Sequence, residues 1–412
     1  MFIFQLLKGL LLLAEIGLAV PVLYLCVLSI AAIYGTHRRR AQQRHPQSQL
    51  NVSHTHPTTC TDFAILVPAH NEERILETLL NSLAALDYPQ DRHTVYVVAD
   101  NCTDDTAALA RHHQGVHVYE RTDAERRGKG FALNWLIQQL DTDQHIHDAY
   151  IILDADSVVQ SDFLQALDRE LAKGSRALQA CNAVLNVTDS PSTALRWLAL
   201  TLVNHVRSLG RTRLGGSSTL NGNGMCLSRA LLACHPWQAY GQAEDYQYYL
   251  TIIEHGERVV YVPEAVVRSQ MPQSFAQMRT QDIRWESSSG NQSSWKAALT
   301  LLKAGIRNRD GVRIEAVAEL LTPPLSLLVG GCLLLLVLSP FIWLWTGFII
   351  SLLLVAGLMV YIGSAFYLLR PPQAVYMALL HAPGFIIWKL WVYFVLRRSK
   401  KHTSEWVRTS RA

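Results

Sequence analysis

Short β-branched apolar runs recur through the first half of the chain: Phe63–Val67, Thr94–Ala99, Val116–Tyr119 and Tyr150–Leu153. Between and after them, apolar positions fall at helical spacing over roughly 73–86, 103–113, 129–139 and 161–172. Strands that alternate with helices at this interval predict a parallel sheet covered by helices on both faces, an α/β domain. No internal repeat is evident.

The pattern changes at both ends. Residues Ile16 to Thr36 carry no charge, and Arg38, Arg39 and Arg40 follow at once. This predicts an anchor helix within residues 1–36, with its N-terminus outside and the basic flank in the cytoplasm. Glu15 within the apolar run and the arginines after it argue against a cleaved signal peptide. Residues 37–61 are rich in His, Gln, Ser, Thr and Pro and read as a linker to a sheet domain at 62–292. In Trp295–Arg309, Trp295, Ala298, Leu299, Leu302 and Ile306 recur at helical spacing, with Lys296, Lys303 and Arg307 on other sides. A basic amphipathic helix of this kind suits either a membrane surface or ordinary packing, and 293–318 is expected to be interfacial.

From Leu320 to Leu369 there is no Asp, Glu, Lys or Arg, and Ser339–Pro340 divides the stretch into two spans. His381, Pro383 and Lys389 interrupt the next apolar segment, 374–396. Two spans return the chain to the side of the sheet domain, where the basic tail 397–412 belongs. The 374–396 segment is therefore expected to be re-entrant or interfacial, completing a membrane region at 319–396.

Composition narrows the class. Of 412 residues, 50% are apolar and 17% charged, and the shortage of charge is concentrated in the apolar ends. A purely soluble chain and a disordered one are both excluded. Net charge is only +4, so no nucleic-acid partner is expected. Seven cysteines are scattered without a C-x-x-C pair, which disfavours a zinc site or a disulfide scaffold.

Ligands of open parallel sheets bind beyond the carboxyl ends of the strands, and polar clusters occupy those places here. The first strand runs into Pro68-Ala69-His70-Asn71-Glu72, where Pro68 is expected to end the ladder and Asn71 to cap a helix or grip a nucleotide. The second ends at Asp100, placed to accept a bond from a base N–H or simply to turn the chain. Arg127-Gly128-Lys129-Gly130 precedes a helix and suits an anion, although its spacing is not that of a P-loop. The fourth strand ends in Asp154-Ala155-Asp156, two carboxylates one residue apart that suit Mg2+ or Mn2+.

Three later clusters add to these. Asn221-Gly222-Asn223-Gly224 permits close backbone approach to a ligand, or a plain turn. Glu244-Asp245 opens a helix, whose dipole favours the carboxylate form needed to take a proton from a hydroxyl. Gln281, Arg284 and Trp285 stand at i, i+3 and i+4, so one helix face presents an amide, a guanidinium and an indole suited to phosphates and sugars.

In this order, the clusters from about Asp62 to Gly290 resemble the family 2 glycosyltransferases with a GT-A fold. Asp154-x-Asp156, Glu244-Asp245 and Gln281-x-x-Arg284-Trp285 are similar to motifs of membrane polysaccharide synthases. The resemblance implies a Rossmann-like, mostly parallel sheet joined to transmembrane helices, with the catalytic domain at the cytoplasmic face of a cell membrane.

Residue by residue, the resemblance implies that Asp100 meets a uracil and that Pro68, His70, Glu72, Lys129, Asp154 and Arg284 bind the nucleotide sugar. Asp154 and Asp156 would hold the metal. Asp245, with Glu244, would be catalytic, and Gln281, Trp285 and Asn223 would bind the acceptor. The implied reaction is inverting transfer from a UDP-linked sugar to a polysaccharide or glycan, forming a β-glycosidic bond. Ala243 stands where polymerising members usually carry Thr, and few helices follow the sheet domain. Single-sugar transfer to a membrane lipid, as in ceramide glucosyltransferases, is therefore the alternative. Donor sugar, linkage and oligomeric state are not encoded in these motifs.

Overall fold

The computed structural model describes residues 2–44, 60–241, 243–273, 295–342 and 344–398. The first apolar segment forms one long helix, α1 (Phe2–Arg44). The alternating region then gives β1 (Phe63–Ala69), α2 (Leu76–Ala84), β2 (His93–Asp100), α3 (Thr106–Arg111), β3 (Val116–Arg121), α4 (Lys129–Thr142) and β4 (Ala149–Ile152). It continues with β5 (Ser157–Val159), α5 (Phe163–Leu171) and β6 (Ala177–Val184). Helices α6 (Pro191–Leu200) and α7 (Ser208–Arg213) are joined by a π-helical turn at Thr201–Arg207. Then come β7 (Met225–Ser228), α8 (Arg229–Cys234), α9 (Glu244–Glu254) and β8 (Val259–Ser269).

The strands form one sheet in the order β3-β2-β1-β4-β7-β6-β8-β5. The first four pair in parallel, as their spacing predicts. The sheet as a whole is mixed, because β7 runs antiparallel to both β4 and β6, and β5 antiparallel to β8. One face buries Phe63, Ile65 and Val67 against Leu76, Leu79 and Leu83 of α2 and Phe163, Leu164 and Leu167 of α5. Leu133, Leu136 and Leu140 of α4 and Ile252 and Ile253 of α9 are buried as well. Expected helices on both faces are thus present, with boundaries moved by a few residues.

Pro68 does not end the ladder. It pairs in register with Val98, and β1 continues to Ala69. The bond from Leu153 N–H to Leu66 O shows that even-numbered residues of β1 turn their peptide groups toward β4. The β1–β4 pairing stops at Leu66, so the missing N–H of Pro68 falls past that ladder's end and removes no bond.

The remaining helices are α10 (Trp295–Asn308), α11 (Gly311–Leu321), α12 (Leu325–Ile342), α13 (Leu344–Leu369), α14 (Gln373–Ala378) and α15 (Ala382–Arg398). These, together with α1 and Val187–Gly216, form a compact unit separate from the sheet. The segment 187–216 therefore leaves the sheet domain, which is not continuous over 62–292. Among the described residues, Phe2–Arg38, Leu325–Ile342, Trp345–Leu369 and Gln373–Tyr393 are long and apolar enough to cross a membrane. The last covers most of the 374–396 segment expected to be re-entrant or interfacial, and a 3-10 turn at Leu379–His381 divides α14 from α15.

A buried polar ladder joins this helical unit. Arg207 Nη1 lies 3.1 Å from Glu319 Oε1, and Arg207 Nε donates to the Tyr361 hydroxyl at 2.9 Å. One helical turn on, Arg211 makes a two-pronged contact with Glu315, Nε to Oε1 at 2.6 Å and Nη2 to Oε2 at 3.0 Å. Tyr24 of α1 donates to Glu315 Oε1 at 2.5 Å.

Candidate active site

The ends of β1 and β2 are laced together. Asn71 adopts a left-handed conformation (φ 57°), and its Oδ1 accepts from Thr103 N–H at 2.7 Å. It therefore ties two loops rather than capping α2, whose N-cap is Ile75 without a side-chain bond. The Glu72 N–H donates to Thr106 Oγ1 at 2.8 Å. His70 Nδ1 is 2.7 Å from the Asp100 carbonyl, which can only accept, so Nδ1 carries the proton.

Asp100 ends β2 with its side chain only 2% exposed. Its Oδ1 accepts from Arg121 Nη1 at 2.5 Å and from Asn101 Nδ2 at 3.0 Å. Arg121 also meets Asp123 at 3.0 Å and the Arg126 carbonyl at 2.7 Å. Asp100 thus anchors the loop that leads into Lys129, a task invisible in the strand-end pattern.

The second half of the site gathers around Lys129, the first residue of α4. Its ammonium lies 2.5 Å from Asp154 Oδ1 and 3.7 Å from Glu244 Oε1, and it donates to the Gly222 carbonyl. Asp154 follows β4 and opens a tight turn, closed by the Ser157 N–H donating to the Asp154 carbonyl at 3.1 Å; Asp154 and Asp156 are half-buried and Ala155 is buried. Glu244 and Asp245 form the first turn of α9, and Asp245 Oδ1 accepts from the Tyr246 N–H at 2.8 Å. Side chains far apart in the chain, on α4, β4 and α9, therefore converge at the strand ends.

Two glycines make this approach possible. Gly222 sits at φ 73°, and a Cβ there would lie 3.0 Å from Asp245 Oδ2 and 3.7 Å from Lys129 Nζ. A Cβ on Gly130 would lie 2.1 Å from the Ala239 carbonyl, so glycine lets α4 close on the segment leading to Glu244.

Asn223 is not available to an acceptor. It is 1% exposed, its Oδ1 accepts from Asp154 N–H at 3.2 Å, and its Nδ2 donates to Ser157 Oγ and Ser269 Oγ, each at 2.9 Å. Its amide holds the Asp154 loop against β5 and β8. Gln179, which sequence reading missed, supports it by donating to the Asn223 carbonyl at 2.8 Å and accepting from Asn221 N–H at 2.9 Å. An amide within the buried first half of a mainly apolar strand was the available signal.

The charges perturb one another. Burial pushes the Glu244 carboxyl up to about 7, with Asp245 adding to the rise and Lys129 opposing it. Burial also raises Asp245, again opposed by Lys129. For Lys129, burial favours the neutral amine, but Asp154 and Glu244 outweigh it and raise its pKa. The ammonium is thus the counter-ion of a carboxylate cluster.

Among the described residues, no group of three or more His, Cys, Asp or Glu side chains is arranged to hold a metal. Asp154 and Asp156 still fit a hard divalent ion that takes its remaining oxygens from phosphate and water. Asp154 is 40% exposed and already faces a cation. Gln281, Arg284 and Trp285 lie outside the described residues.

A family model described as glycosyltransferase like family 2 matches residues 61–288. Among curated proteins, the chain is 30% identical over 231 residues to a beta-monoglucosyldiacylglycerol synthase from Nostoc sp., covering 53% of this chain and 46% of that one. It is 24% identical over 266 residues to a probable glucomannan 4-beta-mannosyltransferase from Arabidopsis thaliana, covering 62% and 49%. The chain spans about half the length of these curated relatives. A solved mannosyltransferase from Pyrobaculum calidifontis, in complex with GDP-Man and Mn2+, aligns with 91% of this chain and 97% of its own at 17% identity and a TM-score of 0.49.

Proposed function

The chain belongs to the family 2 glycosyltransferases, and from that premise we propose that it moves a sugar from a nucleotide diphosphate to an acceptor hydroxyl at a membrane, forming a β-glycosidic bond. The observation that carries this reading is the convergence of Lys129, Asp154, Glu244 and Asp245 beyond the strand ends, where open α/β sheets bind ligands.

In this reading, the nucleotide lies along the loops of Pro68, His70, Glu72 and Asp100, with uracil as the base. Asp154 and Asp156 would hold Mg2+ or Mn2+, which when bound supplies positive charge for the diphosphate. Lys129 turns its ammonium from Asp154 toward the phosphates, and Arg284 supplies a second cation. Asp245 accepts the proton of the acceptor hydroxyl. The hydroxyl oxygen forms the new bond to the anomeric carbon, and the bond to the phosphate oxygen breaks on the opposite face. Its electron pair leaves with the diphosphate, so an α-linked donor gives a β-glycoside. Burial raises the Asp245 carboxyl above the ordinary carboxylate range, which makes its anion a stronger base for this proton. Glu244 adjusts the charge around Lys129, while Gln281 and Trp285 hold the acceptor.

Two acceptor classes remain, a growing glycan and a membrane lipid. The diacylglycerol-type relative is the more similar of the two reported, at 30% against 24% identity, and Ala243 replaces the Thr usual in polymer synthases. Both facts favour single transfer to a lipid. The basic residues that follow the first and last apolar segments, Arg38–Arg40 and Arg397–Lys401, support a cytoplasmic catalytic side, where nucleotide sugars are made.

The test is a screen of nucleotide sugars against purified full-length protein in lipid, reading released UDP or GDP. Release that requires both a divalent metal and an acceptor supports transfer, and product size separates lipid from polymer. No release with any donor across both acceptor classes would reject the reading.

A further inference from the structure

We propose that α10 binds an anionic lipid surface through an apolar stripe and an adjoining column of cations; this rests on the membrane attachment proposed above. The helix has two separate apolar faces. One, formed by Ala298, Leu301 and Gly305, is buried. It packs on α11 so closely that a Cβ on Gly305 would lie 2.8 Å from Ile314 Cγ1. This face already has its partner.

At about 100° per residue, Trp295, Leu299, Leu302 and Ile306 fall within about 60° of one another on a different side. Trp295 is 71% exposed, Leu299 51% and Ile306 64%. Ordinary core packing explains the first face and leaves the second, apart from half-buried Leu302, open to solvent. By the same spacing, Lys296, Lys303 and Arg307 form a single column about 90° from the stripe. All three are exposed, and the helix sequence contains no acid.

An apolar stripe flanked by cations alone matches acyl chains below and anionic headgroups beside them. A protein partner would have to match the same one-sided charge, and nothing on this helix offers the mixed polar rim usual at protein interfaces. Chain length agrees. Only Arg309–Asp310, α11 with its 11 residues, and the segment Thr322–Pro324 separate α10 from the candidate span α12. That helix covers about 16 Å, so α10 stays near the headgroups of any bilayer that α12 enters.

The experiment places full-length protein in nanodiscs of phosphatidylcholine alone, or of phosphatidylcholine mixed with phosphatidylglycerol, with acyl chains brominated near the headgroup. Trp295→Phe isolates the quenching that belongs to Trp295. The expected result is strong Trp295 quenching in the mixed discs. The ratio of lipid-docked to undocked helix should drop about fivefold for each of Lys296→Gln, Lys303→Gln and Arg307→Gln, which is about 1 kcal/mol per cation. These exposed substitutions leave the fold intact, checked by an unchanged melting curve. An unquenched Trp295 in mixed discs, or quenching that is equal in neutral discs, overturns the inference. Quenching that is relieved as copies per disc increase assigns the stripe to a second copy, and also overturns it. Failure of the chain to enter discs at all would instead reject the underlying membrane reading.

Discussion

The Lys129 ammonium lies 2.5 Å from Asp154 Oδ1, joining the start of α4 to the end of β4. The same cation faces Glu244 at 3.7 Å, so a single positive charge balances acids from two further elements. Lys129→Met should therefore destabilise the protein. Breaking a buried ion pair costs about 3–5 kcal/mol, and the 40% exposure of Asp154 reduces this to about 2–3 kcal/mol. Thermal unfolding of the purified variant in detergent measures the loss. An unchanged melting temperature would show that the ammonium is not the counter-ion.

Glu244 gives a pH signature in the metal-free protein. Its folded pKa is raised from 4.5 to about 7, chiefly by burial. Between those values the folded state holds more protons than the unfolded state, so stability falls as pH rises through that window. The contribution is at most about 3 kcal/mol. Glu244→Gln should flatten this part of the stability–pH curve. A wild-type curve that rises from pH 5 to 7, with no difference in the variant, would contradict the assignment.

Gly222 should not tolerate a side chain. At φ 73°, an alanine costs about 1–2 kcal/mol of backbone strain, and its Cβ would press on Asp245 Oδ2. Gly222→Ala should lower kcat about tenfold or more, the equivalent of 1.4 kcal/mol, with a smaller change in KM. Steady-state kinetics separate the two. A normal kcat would mean that the loop is free to move away from Asp245.

The ladder in the helical unit predicts a non-additive pair. Arg211→Met leaves Glu315 uncompensated and should cost about 3–5 kcal/mol. Adding Glu315→Gln removes the orphaned charge and should restore a large part of that loss. Melting temperatures of the single and double variants in detergent decide this. Simple addition of the two effects would mean that the contact carries no coupling.

The first four strands and their helices were legible because each strand is short, apolar and followed by a helical pattern. The later strands were not. β6 carries Gln179 and Asn182, which interrupt its apolar run. β7 has only four residues, and β8 shifts register against β6 around Pro263–Ala265. The departure of 187–216 from the sheet domain was hidden for a different reason. Arg207 and Arg211 look like the polar face of any helix, and their partners Glu319 and Glu315 lie more than 100 residues away.

Within the site, strand ends and helix starts singled out Asp100, Lys129, Asp154 and Asp245 as candidates; the structure brings Lys129, Asp154 and Asp245 together and holds Asp100 on Arg121. The contacts alone separate Asn223, which supports the Asp154 loop, from the residues that face the open site. Pattern reading assigns chemistry to a loop, but which amide turns inward is decided by neighbours such as Ser157, Ser269 and Gln179.

The most direct test is a paired measurement on Asp245→Asn: manganese-dependent UDP binding by calorimetry, and sugar transfer under the same conditions. The account predicts binding close to wild type, with turnover reduced about 10²–10⁴-fold, the usual contribution of a positioned general base. Turnover near the wild-type rate, with binding intact, would contradict it.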